Sequence, residues 1–334
     1  MARIVFYELE EWECEYIRKR LQGHELEFID GHLTEENLRG DAEILCVFIY
    51  SKIDARVLDR MPRLRLVATL STGYDHIDVR ECACRNITVC NVPAYGENTV
   101  AEHTFALLLA ISKRIVESVE RTRRGNFSLE GLRGFDLKGK TIGVVGVGRI
   151  GRNVVRLARA FGMKVLAYTK RPDPKLAEEL GFTYVATLEE LLPKCDVVTL
   201  HAPLTEETHH MINKANIRLM KRGAVLINTA RGELVDTEAL LEAVENGTIS
   251  AAGLDVLEGE ANIKEERQLL SKIFAKEVDL KTMLEEHILL ERENVLVTPH
   301  NAFNSWDALE RILETTVENI DAFLSGKPVN VVKA

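Results

Sequence analysis

Thr141-Ile-Gly-Val-Val-Gly-Val-Gly-Arg-Ile-Gly151 is the stretch whose reading decides the fold. Thr141 to Val145 is apolar and β-branched after a Lys-Gly-Lys turn, so it reads as a short buried strand. Gly146, Gly148 and Gly151 then fall in the spacing G-x-G-x-x-G. From Ile150 the periodicity turns helical, with Ile150, Val154, Val155, Leu157, Ala158 and Phe161 on one side. Strand, glycine turn and helix in that order are the context a dinucleotide-binding turn requires. The first glycine allows the tight turn, the second lets backbone approach a pyrophosphate, and the third lets helix pack on strand. The helix start offers unpaired N–H groups and a favourable dipole to that anion. Glycine spacing alone would also suit a structural turn; the surrounding segments argue for the nucleotide.

C-terminal to this stretch the alternation continues, with strands expected at 164–168, 182–185, 196–200, 224–228, 249–255 and 295–298. Thr187-Leu-Glu-Glu190 is a capping box opening one helix, and Asp236-Thr-Glu-Ala opens another. N-terminal to it lies a second series. Arg3–Tyr7, Glu25–Ile29, Ile44–Phe48, Leu66–Leu70 and Thr88–Asn91 read as strands. Helices are expected near Glu11–Arg20, Thr34–Leu38, Asp54–Arg60 and Val79–Arg85. Strands alternating with helices predict parallel sheets covered on both faces, so the fold class is α/β with two doubly wound domains. One long helix over 98–124 would join them, and a last helix, Trp306–Leu324, is stopped by Gly326 and Pro328. Residues 258–292 are charged, helical in pattern and without a strand, and read as an insertion.

A chain of 334 residues suits about two domains. Its 46% hydrophobic and 28% charged composition is that of an ordinary globular protein. A net charge of −9 argues against nucleic acid or an anionic membrane as partner. No signal pattern opens the chain and no apolar run nears the ~18 residues of a membrane span, so a cytoplasmic location is expected. Of the six cysteines, Cys82 and Cys84 are spaced C-x-C, but no second pair completes a metal site, and core thiols are expected with no metal.

In open α/β sheets, ligands lie beyond the carboxyl ends of the strands. Those ends carry Ser71-Thr-Gly73, Asn91–Thr99, His201-Ala-Pro203, Asn228-Thr-Ala-Arg231, Asp255–Glu260 and Pro299-His300. Three of these residues form a plausible catalytic set. Arg231 is a fixed cation able to hold a carboxylate bidentately. His300 titrates near neutrality and can pass a proton to a carbonyl oxygen. Glu260 can hydrogen-bond His300 and keep it protonated. With a nicotinamide cofactor, that set suits hydride transfer to a 2-keto acid.

The order and number of these stretches resemble the D-isomer-specific 2-hydroxyacid dehydrogenase family over essentially the whole chain. The matching segments are Leu70–Asp75, Asn91–Tyr95 with Ala101-Glu-His103, Gly146–Gly151, His201–Pro203, Asn228–Gly232, Gly253–Asp255 and Thr298–His300. The resemblance implies that Arg231 binds the substrate carboxylate and keto oxygen, that His300 is the acid/base and that Glu260 is its partner. It implies that the backbone of Thr72 and Gly73 holds the carboxylate. Arg149 and Ile150 would meet the pyrophosphate, and Asp255 the nicotinamide carboxamide. The remaining cofactor positions are Thr99, His201, Ala202, Pro203, Thr208, Thr229 and Ala230. It also implies a flavodoxin-like substrate domain at 1–97 and 304–334, a Rossmann NAD(P)-binding domain at 98–303, and a homodimer.

Within the family the D-lactate dehydrogenase branch is resembled most closely, on three aromatics at strand ends, Tyr50, Tyr95 and Phe303, which would close the pocket around a methyl group. The small 2-keto/2-hydroxy acid expected is therefore pyruvate/D-lactate. A glyoxylate/hydroxypyruvate reductase and a nucleotide-sensing corepressor remain the alternatives. Many members carry Asp after the second strand of the cofactor domain. Here Thr169-Lys170-Arg171 stands there, so NADP(H) use is open beside NAD(H).

Overall fold

Five short runs of Ile, Val, Leu, Phe and Cys give the first sheet its strands, in a computed structural model that describes residues 1–258 and 280–333. They are β1 (Arg3–Tyr7), β2 (Glu25–Ile29), β3 (Ile44–Val47), β4 (Leu66–Thr69) and β5 (Thr88–Cys90). They pair in parallel in the order β2-β1-β3-β4-β5. All four residues of β3 and of β4 are buried, as strands covered on both faces must be. One face packs Val5, Tyr7, Leu45, Val47, Val67 and Val89 against Leu58, Met61 and Cys82. The helices Glu11–Arg20 and Trp306–Leu324 belong to the same unit, and Trp12 meets Trp306 edge-on at 5.1 Å.

The second sheet holds β6 (Thr141–Val145), β7 (Lys164–Tyr168), β8 (Thr183–Tyr184), β9 (Val197–Leu200), β10 (Ala224–Asn228), β11 (Ile249–Leu254) and β12 (Val295–Val297). Its order is β12-β11-β10-β9-β6-β7-β8, all parallel, so the strand order reverses between β6 and β9. One face is covered by the helices Glu97–Ser112 and Arg149–Ala160, through Phe105, Leu108, Ile111, Val154, Val155 and Ala158. The other is covered by Leu188, Leu191, Leu234, Leu240, Ala243 and Leu289. Each large apolar side chain of this kind contributes about 1.5–3 kcal/mol when fully buried. The chain thus divides into two units, Met1–Tyr95 with Asn304–Ala334, and Gly96–Phe303. Both are doubly wound parallel sheets, which is the fold class the alternation predicts.

Two segments differ from expectation. Residues 34–38 form turns and no helix. Thr34 N–H donates to Asn37 Oδ1 at 2.7 Å and Asn37 N–H donates to Thr34 Oγ1 at 3.3 Å. Reciprocal side-chain bonds of this kind offer the backbone an alternative to a helix. The long helix over 98–124 is two, Glu97–Ser112 and Ile115–Arg123, separated at Arg114, whose φ is +51°. Its break coincides with a bond from a later loop: Phe135 N–H donates to the Ser112 carbonyl at 2.9 Å, taking an acceptor that a continuing helix would need. In the segment 258–292, Leu280–Leu290 is helical; Glu260 and most of the remainder lie outside the described residues.

Candidate active site

The turn after β6 is built by its glycines. Gly146 has φ +92°, and a Cβ there would stand 2.7 Å from the His201 carbonyl. At Gly151 a Cβ would stand 2.1 Å from the Gly146 carbonyl oxygen, so helix and turn can touch only without one. A Cβ at Gly148 would meet nothing within 4 Å. Gly148 also caps the helix Arg149–Ala160 with no side-chain hydrogen bond. The turn therefore leaves room at a helix start, whose first N–H groups have no partner within the helix, and this fits a pyrophosphate. Ile150 packs its side chain into the core, and Arg149 approaches Glu97 at 3.9 Å.

Beyond β7, Lys170 is ion-paired with Glu207 from the loop after β9, and Arg171 is exposed beside it. Beyond β9, His201 Nε2 lies 2.9 Å from Thr199 Oγ1, while its Nδ1 is buried without a hydrogen-bond partner. Desolvation pushes His201 down to about 3, so its ring is neutral at physiological pH. Ala202 and Pro203 continue that loop. Thr208 Oγ1 closes it by donating to the Pro203 carbonyl at 2.6 Å.

Beyond β10, Asn228 folds the loop onto itself. Its Nδ2 donates to the Arg231 carbonyl at 2.7 Å and its Oδ1 accepts from Ala230 N–H at 3.1 Å. Thr229 Oγ1 meets Thr104 Oγ1 at 3.0 Å, on the helix whose first turn carries Thr99. Arg231 is partly buried and donates to the Ala230 carbonyl at 2.7 Å.

Beyond β11, Asp255 is 1% exposed. Its carboxylate accepts from Thr298 Oγ1 at 2.5 Å, Asn301 N–H at 3.0 Å and Ala302 N–H at 2.9 Å. His103 Nε2 stands 3.4 Å away and 3.0 Å from Thr298 Oγ1. Burial would raise this carboxyl, but the bonds from His103, Thr298 and Ala302 outweigh it and hold it below the usual range. Asp255 therefore stays charged and fastens residues 298–302, the loop that follows β12. His300 rides on that loop with φ +52°, a conformation costing a non-glycine residue about 1–2 kcal/mol. Phe303 ends the same segment, partly buried.

The first unit gathers polar groups at its own strand ends. After β4, Thr69 Oγ1 meets Ser71 Oγ at 2.7 Å, and Ser71 Oγ donates to the Gly73 carbonyl at 2.6 Å. Thr72 Oγ1 donates to the Val92 carbonyl at 2.7 Å, and Asn91 Nδ2 to the Thr72 carbonyl at 2.8 Å. The loop bearing Thr72 and Gly73 is thereby fixed, and Tyr95 follows β5 in the same unit, partly buried. Tyr50 follows β3, is 48% exposed, and stands edge-on to Phe48 at 6.3 Å. Glu8, with φ +65° just past β1, accepts from Tyr50 N–H at 3.0 Å and from Ser51 Oγ. Burial pushes the Glu8 carboxyl up.

Sequence reasoning assigned no role to Glu8, Ser51, His103 or Thr298. The available signals were an acidic residue past the first strand and a histidine within Ala101-Glu-His103. Neither shows its partner, because the bonds join residues 43 and 195 positions apart.

A reversing parallel sheet with an open glycine turn at a helix start defines a dinucleotide-binding α/β protein. Residues 105–302 match the NAD binding domain of the D-isomer specific 2-hydroxyacid dehydrogenases. A 2-hydroxyacid dehydrogenase homolog of Haemophilus influenzae is 36% identical over 97% of each chain. The glyoxylate reductase of Korarchaeum cryptofilum is 40% identical over 87% of this chain and 83% of its own. Among solved structures, the D-lactate dehydrogenase of Aquifex aeolicus complexed with NAD and lactic acid is 39% identical, with a TM-score of 0.87 over 97% and 96% of the chains. The chain belongs to the D-isomer specific 2-hydroxyacid dehydrogenase family, whose members act on a CH–OH group with a nicotinamide cofactor.

Proposed function

We propose that this chain interconverts pyruvate and D-lactate. The reading rests above all on one observation: a buried, charged Asp255, at the end of the strand between those that lead to Arg231 and His300, holds the loop that presents His300. In the reduction, Arg231 pairs with the substrate carboxylate, and the backbone of Thr72 and Gly73 adds donors to it. A bound nicotinamide supplies the hydride to the keto carbon. His300 gives its proton to the keto oxygen as the C=O π bond opens and the carbonyl becomes an alcohol, and Glu260 supports the protonated ring. The glycine turn, with Thr99, Arg149, Ile150, His201, Ala202, Pro203, Thr208, Thr229 and Ala230, holds the dinucleotide. Asp255 acts by fixing the His300 loop as well as through any carboxamide contact. Tyr50, Tyr95 and Phe303 limit the side chain to a methyl group, in keeping with the likeness to D-lactate dehydrogenase structures.

Glyoxylate reduction is the second reading, favoured by the relatives of that name. Thr169, Lys170 and Arg171 suit a 2′-phosphate, so NADPH is accepted beside NADH. A panel of pyruvate, glyoxylate, hydroxypyruvate and phenylpyruvate with both cofactors tests these readings. Highest kcat/KM on pyruvate supports the first, and highest on glyoxylate replaces it. No turnover of any of the four overturns both.

The chain works as a homodimer in the cytoplasm. Ile115, Val116 and Val119 on one helix, with Phe127 and Leu129 after it, are exposed apolar side chains of the sort an interface covers. All six cysteines are unbridged, which suits a reducing compartment. A monomer by light scattering at micromolar concentration would remove the dimer, and secretion by the native host would remove the compartment.

A further inference from the structure

Sequence spacing shows no metal site, yet the fold brings His209, His210 and Glu258 together. One ligand atom from each lies within 4.8 Å of the others. Three features make this more than a chance cluster. First, consecutive side chains of an extended chain point to opposite sides. Here His210 has φ +48°, and the two imidazole rings lie with centroids 4.0 Å apart. Second, Glu258 is oriented from behind. Its Oε2 accepts from Thr237 Oγ1 at 2.7 Å and from Thr237 N–H at 3.2 Å. This leaves Oε1 toward the histidines, 2.5 Å from His210 Nε2. Metal-binding carboxylates are commonly held by such outer hydrogen bonds. Third, the backbone on both sides is anchored. His210 N–H donates to the Glu233 carbonyl at 2.8 Å. A Cβ on Gly232 would stand 2.1 Å from the Leu257 carbonyl, so the loop after Arg231 lies flat against the peptide leading into Glu258.

We propose that His209, His210 and Glu258 bind a divalent transition metal of the Zn²⁺ class. Two imidazoles and one carboxylate, with water in the fourth position, form a familiar donor set for Zn²⁺. Bonds of about 2.1 Å place tetrahedral ligands about 3.4 Å apart. The His210–Glu258 gap opens by about 1 Å to accept the ion, while the widest gap, at most 4.8 Å, closes by no more than about 1.4 Å. The His210 Nε2 exchanges its contact with Glu258 Oε1 for the metal. His209, exposed in the structure, completes the set by turning inward. The bound ion staples the loop after β9 to the segment after β11. None of the three ligands is a residue assigned to substrate or cofactor, so the proposal does not depend on the substrate assignment.

Tag-free protein, freed of metal by chelation, is titrated with Zn²⁺ by calorimetry and with Co²⁺ by visible absorption. The site predicts one saturable ion per chain, a rise in melting temperature on Zn²⁺ addition and cobalt bands of tetrahedral intensity. His209→Ala should keep pyruvate turnover and weaken Zn²⁺ binding by at least about tenfold. Glu258→Gln should weaken it as well. Binding that is absent at 100 µM Zn²⁺, or that is unchanged in His209→Ala, overturns the proposal.

Discussion

Asp255 and Glu8 occupy matching places in the two sheets. Each stands at or just past the end of a strand, and each fastens a loop by accepting its hydrogen bonds. They differ in what surrounds them. Asp255 has a histidine, a hydroxyl and two backbone amides within reach and is held below the usual carboxylate range. Glu8 has Tyr50 N–H and Ser51 Oγ, and burial wins, pushing it up. The loop carrying His300 is thus tied to a carboxyl that holds its charge more firmly, while the loop carrying Tyr50 is tied to a more readily protonated group. Donor count against desolvation decides which behaviour a buried carboxyl shows.

The strongest break of this comparison removes what the Asp255 loop presents. His300→Ala, or Arg231→Ala two strands along the sheet, should retain nucleotide binding by fluorescence and lose ~10²–10⁴-fold in keto-acid kcat. Turnover near wild type in either variant would dissolve the catalytic assignment.

Asp255→Asn is next in size. Asparagine keeps one acceptor but turns an NH₂ toward amides that need acceptors. An unmet buried donor costs ~1–3 kcal/mol, which is ~5–150-fold if it falls on the barrier. Exchange of the Asn301 and Ala302 amides should quicken in parallel. Fast exchange with unchanged kcat would separate the loop from the chemistry.

Tyr50→Leu should shift preference from pyruvate toward phenylpyruvate by roughly tenfold, the worth of a badly filled apolar pocket. An unmoved ratio would return Tyr50 to an ordinary surface residue.

The smallest effect concerns pH. The raised Glu8 carboxyl binds its proton more tightly folded than unfolded. Its contribution is present at low pH and is lost as pH rises from the ordinary Glu range through the raised value. Asp255 runs the other way: its contribution is present above the ordinary Asp range and is lost as pH falls through the lowered value. Glu8→Gln should therefore match or exceed wild type in unfolding free energy by urea titration at pH 7, by no more than about 1 kcal/mol, with the gap closing toward pH 4. A gap that widens on acidification would reverse the sign of the Glu8 contribution.

Much of the fold was legible because its signals are local. A β-branched run before Gly146, and apolar periodicity from Ile150 onward, each fit within a dozen residues. The helix break at Arg114 was not legible, since the Phe135 amide that takes the Ser112 carbonyl comes from a later loop. Residues 34–38 misled because Thr34 and Asn37 fit a helix start as well as the closed turn they form. At the candidate site, the residue types Arg231, Asp255 and His300 could be read from strand ends. The clamp among His103, Asp255 and Thr298 could not, nor could His209 and His210 beside Glu258, because only the fold brings them together.

The central claim is that this chain delivers hydride to one face of pyruvate while His300 protonates the oxygen. Its most direct test is the handedness of the product. Purified protein incubated with pyruvate and NADH or NADPH should yield lactate that is all D by chiral chromatography, formed ~10²–10⁴-fold more slowly by His300→Ala. L-lactate, a racemate, or no lactate with either cofactor would contradict the account.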